Sequence, residues 1–297
     1  MTHVFPPFEP EKAQKRPRRL ALRRGQVPVR VLIPNMFTLL GLCAGLTAIR
    51  MAIEHRWDVA LAAIIFAAFI DGIDGRVARL LKATSQFGAQ LDSLADFINF
   101  GVAPAVVVFA WALGGLKSLG WIVVLVFAIC AALRLARFNV SLDDPDQPDW
   151  KANYFVGVPA PAGALILLLP LYLDGLGVPG VAAVTPVILV YTLGVAFLMV
   201  SRIPTYSGKM IGQRVDREYV APVFVLAALF VAVLLTYPFT TLTVGTLLYL
   251  VFIPVSFWTY GKREQEAKAH ATAQNGAEER AESEVPDKPE EREQARP

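Results

Sequence analysis

The sequence predicts an all-α membrane protein, a bundle of about eight spanning helices, on three observations. The chain has 297 residues, 55% of them hydrophobic, and a mean hydropathy of +0.48. This composition is far too apolar for a soluble domain of this length. The apolar residues fall into stretches of roughly the 20 residues that a spanning helix needs. We place these stretches at residues 31–52, 57–81, 89–113, 119–138, 158–176, 181–200, 219–237 and 241–260.

The basic residues predict the orientation of this bundle. An even number of spans puts both chain ends on one side, where most of the arginines and lysines of the connections also fall. The opposite side carries only Arg50, Arg56 and Lys117. The positive-inside rule therefore predicts a multi-pass protein of the plasma or inner membrane, with both ends in the cytoplasm.

The two ends of the chain differ from the membrane domain between them, residues 31–260. Residues 1–30 form a basic arm, which we interpret as a cytoplasmic tail that obeys the positive-inside rule; contact with anionic lipid headgroups is a compatible second role. Residues 261–297 are rich in Glu, Ala, Arg, Gln and Lys. They bury too little apolar surface to offset their ordering entropy, so we predict a disordered or partly helical polar tail that is dispensable for chemistry.

Four aspartates dominate the stretch DGIDGRVARLLKATSQFGAQLDSLAD at residues 71–96. Asp71 and Asp74 are three apart and Asp92 and Asp96 are four apart, so on helices each pair shares a face. Apolar runs flank the stretch, and a carboxylate at a membrane boundary costs roughly 2.5 kcal/mol or more unless it is neutralised. Hard divalent cations, Mg²⁺ or Mn²⁺, prefer such oxygen ligands and leave positions open for phosphate.

Small residues accompany the aspartates. Gly72, Gly75, Ala78 and Gly88 leave a slot in which a flat base or a diphosphate can lie against the backbone. The alternative is purely structural, with the four acids paired to the basic side chains of the same stretch, which are Arg76, Arg79 and Lys82.

This stretch resembles the signature of the CDP-alcohol phosphatidyltransferases, D-x-x-D-G-x-x-A-R-x8-G-x-x-x-D-x-x-x-D, at every fixed position. The resemblance implies two metal ions, with Asp71, Asp74 and Asp92 as ligands of metal and diphosphate. It also implies that Asp96 binds the second ion and serves as general base. Five small or basic residues of the stretch would form the CDP site together with Asp71 and Asp74; they are Gly72, Gly75, Ala78, Arg79 and Gly88. Members of this family are often homodimers, and no nucleic-acid partner is expected.

The first apolar stretch begins PNMFTLL, with Asn35 and Thr38 three apart on one helix face. From residue chemistry alone, a structural role that bridges neighbouring helices is as plausible as contact with a nucleotide. The resemblance favours the nucleotide, because a P-N-x-x-T element on the first helix is common in this family beside the CDP site.

Four further segments resemble the phosphatidylserine synthase branch of the family, and they lie at 93–105, 131–140, 154–162 and 198–209. That branch transfers the phosphatidyl group of CDP-diacylglycerol to L-serine and releases CMP. These segments are looser than the aspartate signature, so glycerol 3-phosphate, an inositol phosphate or choline remain alternative acceptors. From another class, a cation transporter or proton-coupled carrier would also bury acids in a bundle, but the DGxDGxxAR spacing gives no reason to expect one.

The acceptor would need a cationic partner if it carries a carboxylate, as L-serine does. Arg134 and Arg137 are three apart at the end of the fourth stretch, where a guanidinium can hold a carboxylate through two hydrogen bonds or can simply anchor the helix end. Four more residues are candidates for the acceptor pocket: Asn139, Tyr206, Ser207 and Lys209.

Overall fold

A computed structural model describes residues 29–81, 83, 85–142, 154–201, 203–206 and 217–283. The predicted all-α polytopic bundle is confirmed over these residues, with two very short strands added. The helices are α1 (Val29–Ile53), α2 (Trp57–Leu80), α3 (Gln86–Asp96), α4 (Ala103–Val108), α5 (Ser118–Leu142), α6 (Ala160–Leu167), α7 (Leu169–Gly175), α8 (Thr185–Val200), α9 (Arg217–Thr236) and α10 (Pro238–Ser283). The strands are β1 (Tyr154–Val156) and β2 (Pro204–Tyr206). Most of the predicted basic arm, residues 1–28, lies outside the described part of the chain.

Five helical segments of the described chain are long and apolar enough to cross a membrane on their own; they are Leu32–Ile53, Gln86–Leu116, Ser118–Ser141, Tyr219–Thr236 and Pro238–Gly261. The other three predicted spans correspond to helices that are too charged, interrupted or too short to be counted as spanning. Helix α2 has the length but carries charged residues near its end, α6 and α7 form an interrupted pair, and α8 has 16 residues.

Helices α1 and α2 pack along each other and form one wall of the bundle. Their contact uses small side chains, and Ala48, Ala52, Ala60 and Ala67 are fully buried. Small residues let two helix backbones approach closely, which is how helices associate where lipid removes the usual hydrophobic driving force. This close pairing fixes the start of α1 beside the end of α2.

The third span is not a regular helix. Two π-helical segments interrupt it, Phe97–Val102 directly after α3 and Phe109–Leu113 after α4. Pro104 lies just beyond the first of these segments and has no N–H to donate, so the regular hydrogen-bond ladder cannot continue through it. The wide turn therefore begins immediately after Asp96.

The strands form a two-stranded antiparallel ribbon in which Phe155 pairs with Thr205. Gly157 follows β1 with a φ of +80°. A Cβ at this position would lie 2.5 Å from the Met199 carbonyl oxygen, so only glycine allows the ribbon to approach the end of α8 this closely. The ribbon also packs against α10.

Helix α10 continues well past the membrane span, to Ser283. Part of the polar tail is thus helical, and residues 284–297 lie outside the described chain. The composition explains the extension, because Ala, Glu, Lys, Arg and Gln are strong helix formers and a helix already nucleated in the membrane needs only to propagate.

Candidate active site

Three of the four signature aspartates converge. Asp71 and Asp74 lie near the end of α2, and Asp92 lies on α3 across from them. One carboxylate oxygen from each of the three lies within 4.8 Å of the other two. Asp74 is buried, with 5% of its surface exposed, and Asp71 and Asp92 are half-buried. Three carboxylates this close repel one another strongly unless a cation or protons lie between them.

Asp96 lies one helical turn beyond Asp92 and stands beside Asp71, with the two carboxyl groups within hydrogen-bonding reach. It is outside the group of three but touches its edge. Asp96 is the last residue of α3, directly before the π-helical segment, so the wide turn sets the direction of its side chain. The four carboxylates thus form one connected group, three that face one another and Asp96 joined through Asp71, which we call the carboxylate row.

Thr38 of α1 contacts Asp74, one member of this row. Its hydroxyl lies 3.1 Å from Asp74 Oδ2 and 3.2 Å from the Pro34 carbonyl oxygen, and it can donate to either. Asp74 Oδ1 in turn accepts from the Gly75 backbone N–H at 2.6 Å. The structure therefore brings the predicted P-N-x-x-T element of the first helix into direct contact with the aspartates.

A cavity of about 380 Å³ opens beside these residues, between α1, α2 and α3. Its lining includes eight of the residues predicted for the nucleotide and metal: Asn35, Thr38, Asp74, Gly75, Ala78, Arg79, Gly88 and Asp92. Asp71 and Gly72 are predicted for the same site but are not part of this lining. No described atom lies within 4 Å of a Cβ built on Gly75, so this glycine keeps one wall of the cavity open.

The start of α3 closes the cavity on another side. Ser85 caps this helix, and its hydroxyl accepts from the Gly88 backbone N–H at 3.0 Å. A Cβ on Gly88 would lie 2.9 Å from Asn35 Oδ1 and 3.1 Å from Ser85 Oγ. Gly88 therefore permits the close approach of α3 to α1, and the cap residue Ser85 is a part of the site that sequence reasoning missed.

The residues predicted for the acceptor do not lie together in the structure. Arg134 is buried, with 6% of its surface exposed, its Cζ lies 5.3 Å from the Phe138 ring centroid, and it is close enough to Asp96 for electrostatic interaction. Its Nε has no hydrogen-bond partner among the described residues. Arg137 is exposed and donates to the Val200 carbonyl oxygen at 2.8 Å, which anchors the end of α5 to the end of α8.

Asn139 donates through Nδ2 to Ser93 Oγ at 2.9 Å and so ties α5 to α3 between Asp92 and Asp96. Tyr206 lies in β2. Ser207 and Lys209 lie outside the described residues. Among the members of this group whose side chains are described, Arg134, Arg137 and Asn139, only Arg134 lies near Asp96 with part of its hydrogen-bonding capacity unused.

The donor set of the aspartate group fits a divalent cation. Hard cations bind oxygen at about 2.0 to 2.6 Å, so two ligands of one ion lie up to about 5 Å apart. The 4.8 Å limit within the group of three meets this requirement. The acids also lie within the bundle, where a metal would offset the cost of several buried negative charges.

Five apolar spans with a row of aspartates between them define an integral membrane protein that carries a polar site inside a helical bundle. The model of the CDP-alcohol phosphatidyltransferase family matches residues 31–201, and that of CDP-alcohol phosphatidyltransferase 2 matches residues 218–254. The chain belongs to the CDP-alcohol phosphatidyltransferase family.

Curated relatives are similar over most of the chain. A protein of Mycobacterium leprae is 44% identical over 223 residues, 75% of this chain and 73% of the relative. One of Helicobacter pylori is 32% identical over 221 residues, covering 74% and 89%, and one of Bacillus subtilis is 34% identical over 172 residues, covering 58% and 88%. All three are named CDP-diacylglycerol–serine O-phosphatidyltransferase.

Proposed function

We propose that this protein transfers the phosphatidyl group of CDP-diacylglycerol to L-serine, giving phosphatidylserine and CMP. One observation carries the proposal: the carboxylates of Asp71, Asp74 and Asp92 converge, and Asp74 and Asp92 line a cavity together with other residues of the family's CDP signature. The relatives named for this reaction supply the choice of serine as acceptor.

The aspartates are the proposed metal ligands. Asp71, Asp74 and Asp92 would hold one Mg²⁺ or Mn²⁺, and Asp96 together with Asp71 would hold a second. When bound, such ions neutralise the diphosphate and favour CMP as the leaving group. Thr38 keeps Asp74 oriented towards this site through its hydroxyl. The cytidine would occupy the cavity between Asn35, Gly75 and Gly88, where side chains leave the backbone accessible.

Asp96 is the proposed general base. It stands at the end of the carboxylate row, on the side of Arg134, and not in the lining of the nucleotide cavity. A serine whose carboxylate pairs with the Arg134 guanidinium would place its hydroxyl near the Asp96 carboxylate, which would accept the hydroxyl proton as the oxygen attacks phosphorus. Holding donor and acceptor on opposite sides of the row favours an in-line displacement.

The acyl chains of the donor need an apolar route out of the site. A second cavity, of about 420 Å³, is lined by Ile65, Ala68 and Phe69 of α2, by apolar residues of α6 and α9, and by residues of α10 that include Thr241, Thr246 and Tyr249. Phe69 lies two residues before Asp71, so this cavity begins at the depth of the carboxylates. We assign the acyl chains to it, which accounts for the placement of a nucleotide reaction within a membrane protein.

We also propose that the aspartate site faces the cytoplasm, where CMP is released, and that the protein acts as a homodimer. The first proposal rests on the basic residues of the connections on that side. The second proposal rests only on the homodimeric state that is common in this family.

The acceptor is tested by CMP release from the purified protein in detergent with CDP-diacylglycerol and Mn²⁺ or Mg²⁺. L-Serine, glycerol 3-phosphate, inositol phosphate and choline are added in separate reactions. We expect release with L-serine and only background release with the others, because only L-serine offers both a carboxylate for Arg134 and a hydroxyl for Asp96. Release with another acceptor and none with serine would contradict the assignment.

A further inference from the structure

Helix α5 holds α3 through a hydrogen bond between two side chains. Asn139 Nδ2 of α5 donates to Ser93 Oγ of α3 at 2.9 Å. The Ser93 hydroxyl has a single proton, which it donates to the Ala89 carbonyl oxygen at 3.0 Å within α3. Its oxygen therefore remains available to accept from the Asn139 amide, and the bond between the two helices has consistent donors and acceptors.

A second contact between α5 and the same span lies two turns further along. A Cβ built on Gly101 would lie 3.0 Å from the Ala131 Cβ, so the π-helical segment after α3 packs closely against α5 at this point. Ser93 and Gly101 are eight residues apart, and Asn139 and Ala131 are eight residues apart in the opposite direction. The two contacts thus define one antiparallel register, and Asp96 lies between them.

Helix α1 holds the same segment from another side. Asn99 is buried and lies three residues after Asp96. A Cβ built on Gly41 of α1 would lie 3.5 Å from Asn99 Nδ2 and 3.5 Å from Ile70 Cγ2, and Ile70 directly precedes Asp71. Contacts with both α1 and α5 therefore place the segment around Asp96, whereas the other pair of aspartates belongs to α2.

We infer that Ser93 and Asn139 are positioning residues, whose hydrogen bond fixes the part of α3 that carries Asp92 and Asp96. The inference rests on the proposed function. A metal site shared between two helices binds its ion well only if both helices are held in place, so the bond sets the position of these two carboxylates relative to those of α2. It also gives Asn139 a role different from the acceptor contact expected from the sequence.

The test uses the full-length protein in detergent with Ser93→Ala, Asn139→Ala and the double variant. Binding of Mn²⁺ is measured without substrates, from the electron paramagnetic resonance signal of the free ion. Each single variant should weaken Mn²⁺ binding about fivefold, the value of one ordinary hydrogen bond. The double variant should be no weaker than the single variants, because the same bond can be lost only once.

Steady-state kinetics at saturating Mn²⁺ separate positioning from acceptor contact. Both single variants should lower kcat, because Asp96 is less well placed, and should leave KM for L-serine at the wild-type value. A direct contact between Asn139 and the acceptor would instead raise KM for L-serine in Asn139→Ala and not in Ser93→Ala. Since the two variants alter different helices, either one tests the bond if the other does not fold.

Two matched controls are available in the chain. Ser141→Ala removes a hydroxyl that donates to the Phe138 carbonyl oxygen at 2.7 Å within α5. Tyr191→Phe removes a hydrogen bond between two other helices, from the Tyr191 hydroxyl of α8 to the Ile166 carbonyl oxygen of α6 at 2.6 Å. Neither variant should change Mn²⁺ binding or kcat.

Three results would overturn the inference. They are single variants that behave like these controls, losses of Mn²⁺ affinity that multiply in the double variant, and an effect confined to KM for L-serine in Asn139→Ala. A wild-type protein that binds Mn²⁺ but releases no CMP with L-serine would refute the proposed function instead, and the Mn²⁺ titrations of the variants would still decide the role of the pair.

Discussion

Asp96 differs from the other three aspartates in its neighbours. Asp71, Asp74 and Asp92 face one another closely enough to share a cation, whereas Asp96 contacts the group through Asp71 and faces Arg134 on its other side. A carboxylate in this position lies between the proposed metal site and the arginine proposed to bind the acceptor. The sequence predicted that all four aspartates belong to one site, since their spacing puts each pair on one helix face. It could not predict which of them would stand at the end of the row, because that depends on how α2 and α3 cross.

Replacing Asp96 by asparagine tests its role as base. Asp96→Asn keeps the shape of the side chain but removes its ability to accept a proton, so transfer to L-serine should fall by about 100-fold or more. Binding of CDP-diacylglycerol should stay measurable, because the nucleotide cavity does not include this residue. Asp174→Asn is the matched control, since Asp174 is an exposed carboxylate that accepts a hydrogen bond from Trp111 Nε1 at 3.3 Å. Activity of Asp96→Asn above about a tenth of wild type would exclude Asp96 as the base.

At the scale of the elements, the site depends on how the first and third spans meet. The π-helical segment after Asp96 places Asn99 against α1, where Gly41 and Gly45 leave room for its side chain. Asn99 is buried, with 2% of its surface exposed. The apolar pattern of residues 89–113 predicted a span but gave no sign of the wide turn within it. That turn arises from Pro104 and from the close packing with α1, which is a tertiary effect.

Gly45 is the position at which this contact can be tested. A Cβ there would overlap Asn99 Oδ1 and would also lie 3.2 Å from the Asn99 Cα, so a rotation of the Asn99 side chain cannot relieve the clash. We expect Gly45→Ala to destabilise the protein by about 1 to 3 kcal/mol, the usual cost of overpacking. Gly194→Ala is the control, because no described atom lies within 4 Å of its Cβ. Thermal unfolding in detergent should show a lower Tm for Gly45→Ala only; equal Tm values would contradict the contact.

For the whole molecule, hydropathy was sufficient to predict the fold class, and the aspartate signature was sufficient to predict the family. Hydropathy did not predict that α6 and α7 are interrupted or that α8 is short, since long apolar runs conceal breaks at residues such as Leu168. It also gave no sign of the β1–β2 ribbon, which forms between segments nearly 50 residues apart in sequence. The division into arm, membrane domain and tail remains a prediction. The last helix, α10, lines the cavity to which we assign the acyl chains.

In the proposed reaction, one metal-dependent site both releases CMP and forms phosphatidylserine. The direct measurement uses the full-length protein in vesicles that contain CDP-diacylglycerol, with L-serine and Mn²⁺ or Mg²⁺, and quantifies CMP and phosphatidylserine in the same sample. We expect equal amounts of the two products, loss of both on chelation and recovery of both when the metal is restored. CMP without phosphatidylserine, or phosphatidylserine formed at an unchanged rate in the presence of chelator, would contradict it.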